Sequence, residues 1–187
     1  FTIMELLVSI GVFLSLFLMV TVNFRAGESI NELRLETQKI ASDIRKLQTL
    51  ALTGSTYNYN GITTPIGIGG YGIKFTNDTT TYEIYSDTSA VYGILDDSDV
   101  APLESITLSS NFLPIVVVNQ DISIAHLTFL PHSSAITLKT LNGEEVEDMS
   151  AETLVIEIYH NKVINKKGVI EITPVSGRVN FYLDEAN

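Results

Sequence analysis

Residues 1–24, FTIMELLVSIGVFLSLFLMVTVNF, are apolar almost throughout, and the one carboxylate among them is Glu5. From Leu6 to Val22 no residue is charged. As a helix that run reaches about 25 Å, the lower edge of what crosses a bilayer's hydrocarbon core, and residues 1–4 extend it. A charge placed in such a helix is costly unless it is paired, so Glu5 requires a partner. A secretory signal peptide is the competing reading. It would open with a positively charged region and close with a small-residue cleavage site, and neither is present. The first residue is Phe rather than Met, which points to processing upstream.

The helical pattern continues past the apolar stretch. Ile30, Leu33, Thr37, Ile40, Ile44, Leu47 and Ala51 recur at spacings of three and four, with Glu28, Glu32, Lys39, Asp43 and Lys46 off that stripe. No proline interrupts residues 1–53, and Gly54 is placed to end the helix. A helix from Phe1 to Leu52 would measure roughly 78 Å, too long to pack on one small domain along its whole length. Three segments follow: a membrane-length apolar helix at 1–24, an amphipathic helix packed on the head at 25–53, and a head at 54–187.

Charge divides the same way. Residues 1–53 balance five Lys or Arg against five Asp or Glu, whereas residues 54–187 set six against seventeen. The net −11 therefore sits in the head, which repels phosphate backbones and argues against nucleic acid as a general partner. The absence of cysteine excludes disulfides, thiol catalysis and cysteine-based zinc sites.

Residues 54–70, GSTYNYNGITTPIGIGG, read as a loop. Gly67, Gly69 and Gly72 form a formal G-x-G-x-x-G, but a helix and loop precede it and a strand pattern follows. That is the reverse of the strand–turn–helix context a nucleotide site needs, so glycine turns at a sheet edge are expected. Beyond residue 70, YGIKFT and TYEIYS flank a turn at Asn77–Thr80, and SITLS, PIVVV, SIAHLTFL, AITLKTL, LVIEIYH, GVIEIT and RVNFY follow. Nine short strands with no second helical pattern predict an α+β protein whose β-rich head carries residues 25–52 on its surface. GEEVED at 143–148 reads as a solvated hairpin tip.

Chemistry is sparse. His126, His132 and His160 lie on different strands or loops, and no nucleophile motif appears, so no enzymatic activity and no cofactor are expected. Asp96, Asp97 and Asp99 place alternate carboxylates in one loop at a spacing that can ligate calcium, although the EF-hand pattern is absent. A solvated acidic turn is the simpler account of that cluster.

FTIMELLVSIGVF closely resembles the mature N-terminus of type IV pilins and of the pseudopilins of type II secretion. Phe1, Thr2, Glu5 and the Leu-Leu-Val run carry the likeness, while Val22 stands where many pilins have a helix-breaking proline. The resemblance implies cleavage by a prepilin peptidase and N-methylation of Phe1. It also implies that Glu5 faces the Phe1 amine of a neighbouring subunit, setting the register of assembly. Leu6, Leu7, Ile10, Phe13, Leu14 and Phe17 would then line the filament core. A second resemblance, to H-type minor pseudopilins and related minor pilins, rests on GYGIKF, LTFLP and VSGRVNF in that order, and implies a head of two antiparallel sheets. Calcium binding in a head loop of some relatives bears on Asp96, Asp97 and Asp99. DNA-capturing minor pilins carry a basic G-R-x-R tail. Here Asn180 replaces the second arginine and Asp184 and Glu185 follow, so a DNA receptor is not expected.

The expected function is a structural subunit of a type IV pilus-like filament of identical subunits. It would be inserted in the bacterial inner membrane, processed by the peptidase and assembly machinery, then displayed on the cell surface. The alternatives are an H-type pseudopilin of a secretion pseudopilus, and a minor pilin acting as a tip adhesin or DNA receptor.

Overall fold

The computed structural model describes residues 2–88, 93–95, 102–118, 122–133, 136–143, 145–149 and 151–186, the side chains of 22–26 and 59 excepted. A single helix, α1, occupies Ile3–Thr53, 51 residues without a break. Thr2 caps its N-terminus. At the other end Gly54 takes the left-handed conformation (φ 64°), which costs glycine nothing. Its N–H donates to the Ala51 carbonyl (3.2 Å) and the Ser55 N–H to the Leu50 carbonyl (3.0 Å), a Schellman closure. The His132 N–H takes up the Ala51 carbonyl as well (2.9 Å).

The rest of the chain is β-rich. The strands are β1 (Tyr57–Tyr59), β2 (Ile62–Thr64), β3 (Gly70–Thr76), β4 (Thr81–Asp87), β5 (Glu104–Thr107) and β6 (Val116–Val118). They continue with β7 (Ile124–Phe129), β8 (Ile136–Asn142), β9 (Glu145–Asp148), β10 (Leu154–Tyr159), β11 (Lys166–Thr173) and β12 (Arg178–Glu185). A six-stranded sheet has the order β5-β4-β3-β7-β8-β9, a four-stranded sheet the order β12-β11-β10-β6, and β1 pairs with β2 alone. Every pairing is antiparallel. The fold is thus α+β, but with three sheets where two were expected.

Alternation along the strands explains the core. Tyr71, Ile73 and Phe75 of β3, Ala125, Leu127 and Phe129 of β7, and Leu154, Ile156 and Ile158 of β10 stand at every second position, the period of a pleated strand, and all are buried; in β7 the intervening His126 and Thr128 are buried as well. These faces meet the helix stripe. Leu33, Thr37, Ile40, Ile44, Leu47 and Ala51 are completely buried, and α1 touches β10, β11 and β12 of one sheet and β3 and β7 of the other. Ile30, also assigned to the stripe, is only half-buried. Within this interface the Tyr82 hydroxyl donates to Asp43 (2.7 Å), and burial raises its pKa.

Two sequence readings need correction. The stretch 54–70 is not all loop: β1 and β2 form a ribbon around Asn60 and Gly61, both at positive φ (50° and 80°). Asn-Gly suits the two left-handed positions of a two-residue hairpin turn, and that signal was present in YNYNGITT. The Tyr71 hydroxyl ties the ribbon to β3 by accepting the Tyr57 N–H (2.8 Å). GEEVED is likewise more than a tip, because residues 145–148 pair with β8 as an edge strand, although all four are exposed. Among the described residues twelve strands therefore stand where nine were expected.

Truncating Leu47 to Ala should cost about 3 kcal/mol, the usual penalty for emptying a packed leucine site. Leu35→Ala, at a site 65% exposed, should stay within about 0.5 kcal/mol of the parent. Urea unfolding of the full chain in detergent, followed by tyrosine near-ultraviolet circular dichroism, measures both.

Candidate functional site

The first candidate is the apolar half of α1. Ile3–Thr21 has a mean hydropathy of 2.5 and no buried residue, so by length and composition it could serve as a membrane anchor or a signal sequence. Leu6, Leu7, Ile10, Phe13, Leu14 and Phe17 are each between 48% and 76% exposed. Leu6, Ser9, Ile10, Phe13, Leu14 and Phe17 line one shallow apolar groove along the helix. Leu7 borders this groove, about 20° around the helix from Leu14.

Polar groups in this segment are satisfied within the helix. Ser9 Oγ donates to the Glu5 carbonyl (2.8 Å), Ser15 Oγ to Val12 (2.8 Å) and Thr21 Oγ1 to Phe17 (2.7 Å). Such back-bonding is what hydroxyls need where water is excluded. Glu5 is treated the same way. Its Oε2 accepts the Thr2 N–H (3.1 Å) and its N–H donates to Thr2 Oγ1 (3.3 Å), a reciprocal capping box. Sequence reading concentrated on the cost of the charge and missed this, although T-x-x-E at residues 2–5 is its signature. Phe1 lies outside the described residues.

The second candidate is polar and joins α1 to the head. Glu32 accepts hydrogen bonds from Ser109 Oγ (3.2 Å), Asn111 Nδ2 (3.1 Å) and His160 Nε2 (3.2 Å). His160 is buried edge-on against Phe112. Its Nδ1 accepts the Lys162 N–H (3.1 Å), which leaves the Nε2 proton for Glu32. Asn111 first, then His160, holds the Glu32 carboxyl below the usual carboxylate range.

A third polar group lies on the back of the six-stranded sheet. His126 faces Lys74 on β3 and Lys139 on β8, its direct partners across the ladder. Burial, reinforced by Lys74, pushes its pKa down to about 4. The neutral ring accepts the Leu95 N–H at Nδ1 (3.1 Å), while Tyr85 donates to or accepts from Thr128 (3.0 Å) and Asp87 accepts the Gly93 N–H. Residues 93–95 are thereby pinned across the sheet.

The calcium candidates Asp96, Asp97 and Asp99 lie outside the described residues. Among the described residues no cluster of three His, Asp or Glu could hold a metal ion. A Cβ on Gly67 or Gly69 would overlap Asp87, and one on Gly72 the Tyr85 ring. The three glycines therefore allow close packing on β4 and form no phosphate cradle. At the C-terminus, Arg178 Nε donates to Asn180 Oδ1 (3.0 Å), so that guanidinium is engaged by its own strand.

No family model matches the chain, and neither a curated protein nor a solved structure matches it.

The depressed Glu32 pKa contributes stability above the ordinary carboxylate pKa, and that contribution is lost as pH falls through the folded-state value. Glu32→Ala should cost roughly 1–2 kcal/mol at neutral pH by stranding the His160 proton. The variant should also lose part of the parent's fall in stability on acidification. Thermal unfolding between pH 3 and 7 reads both effects.

Proposed function

We propose that the chain is a structural subunit of a type IV pilus-like filament, held in the bacterial inner membrane by α1 and polymerised through it. The observation that supports this most directly is the division of α1. One half completes a head whose core needs nothing more, and the other offers a continuous apolar surface with its polar groups already satisfied. In a bundle of such helices, association follows from burial of apolar surface, and Glu5 supplies register by meeting a neighbour's N-terminal amine. Opposite charges 4 Å apart attract by about 4 kcal/mol at an effective dielectric constant of 20, whereas an unpaired charge is penalised. Docking would exchange the internal Thr2–Glu5 contact for that one. Processing by a prepilin peptidase, methylation of Phe1 and display on the cell surface belong to the same reading, which assigns no enzymatic role.

A second reading, an H-type pseudopilin of a secretion pseudopilus, is favoured by the two large antiparallel sheets of the head. A secretion operon beside the gene would support it. The reading as a tip adhesin or DNA receptor gains nothing from an acidic head whose Arg178 is engaged.

Glu5→Ala should abolish filaments seen by electron microscopy while leaving the melting temperature of the membrane-extracted protein unchanged. Fibres in parental yield would overturn the register role.

A further inference from the structure

Contacts along α1 establish which end of the head faces the apolar segment. Gln48 Nε2 donates to the Gly177 carbonyl (3.2 Å) and Arg45 Nη2 to the Val179 carbonyl (2.7 Å). Nearer the N-terminus, Thr37 lies against Gly168, and Glu32 meets His160. The β11–β12 turn at 174–177 is therefore at the far end. The β10–β11 turn at 160–165 is at the end where α1 leaves the head. The loop at 109–113 joins it there, with the Asn161 N–H on the Asn111 carbonyl and the Leu113 N–H on the Tyr159 carbonyl (both 2.9 Å).

This rim exposes two large aliphatic side chains, Ile164 (85%) and Leu113 (47%). Val163 packs on the core and anchors the turn from within, while Ile164 is left outside. The rim is also where the head's positive charge gathers. Residues 160–167, HNKVINKK, hold three of the head's six cations and no acid. Lys167 pairs with Glu157 (2.6 Å), and Lys166 and Lys167 face Glu185 and Asp184 across the ladder. With Glu28, Glu32 and Arg34 on the adjoining turns of α1, four cations meet five carboxylates, a far milder balance than the six against seventeen of the whole head.

The distances suit a membrane surface. The apolar span ends at Thr21, eleven residues before Glu32, or about 16 Å of helix. Two residues of extended chain beyond His160 recover about 7 Å, which leaves roughly 10 Å to the hydrocarbon edge. A headgroup layer fills about 5–7 Å of that, and lysine and isoleucine side chains cover the remainder.

We propose that the Leu113–Ile164 rim rests on the phospholipid headgroup layer when α1 is inserted, with Ile164 among the headgroups and Lys162 and Lys166 on lipid phosphates. This rests on reading residues 3–21 as membrane-inserted. The rim then orients the head before assembly, and a subunit leaving the bilayer must break this contact.

The chain has no tryptophan, so single reporters are clean. Ile164→Trp, Val175→Trp in the far turn (79% exposed) and Phe17→Trp in the span are each placed in the full chain. The proteins are reconstituted in vesicles of zwitterionic and anionic phospholipids. Nitroxide carried on lipid headgroups should quench Ile164→Trp about twofold more than Val175→Trp, with aqueous iodide showing the opposite order. Equal quenching of those two, with Phe17→Trp quenched by brominated acyl chains, overturns the rim contact and leaves the membrane span intact. Failure to quench Phe17→Trp overturns the membrane reading and the rim contact with it.

Discussion

The buried face of α1 is the surface on which the rest of the molecule is built. Leu33, Ile40, Ile44, Leu47 and Ala51 receive the inner faces of both large sheets, so neither sheet could bury its Tyr, Phe and Ile side chains without the helix. The helix also closes an edge. β12 is the outer strand of its sheet, and Arg45 and Gln48 satisfy carbonyls of β12 and the turn before it. Open edges invite pairing with other chains, and covering one with a helix removes the invitation. Because the second half of α1 is locked into the core, the direction of its first half is fixed as well.

An edge of the six-stranded sheet, β9, is managed by charge. Glu145, Glu147 and Asp148 stand on an exposed four-residue strand, where a second β9 would bring like charges together. At these two of the four edges that the large sheets have, the addition of a strand is disfavoured.

Much of this fold could be read from the residues, for identifiable reasons. The stripe from Leu33 to Ala51 repeats with the helical period and is buried at each step, and β3, β4, β7, β10 and β11 alternate with the strand period. What escaped lacked either signal. β9 has no apolar face to alternate, and only the free edge of β8 makes it a strand. The β1–β2 ribbon was hidden by the glycines and Pro65 around it, although its Asn-Gly turn was in plain view. The sites divide in the same way. The Thr2–Glu5 box is local and readable, but Glu32 and His160 are 128 residues apart, and no spacing rule reaches across that separation. His126 looked like one of three scattered histidines, because only the strand register brings Lys74 and Lys139 to either side of it.

The contacts from Gln48 through Arg45 and Thr37 to Glu32 also form a row of successive levels along the helix axis, set on both flanks of the buried stripe. A pull along α1 is resisted by side chains set one behind another along the line of force, together with the packed stripe between them. Such a row yields by sliding, with many contacts strained at once, whereas a peeling geometry would fail one contact at a time. The Glu32 cluster stands first in the row, at the point where tension enters the head. It is the joint through which a load on the apolar half of α1 would pass to the β-rich head.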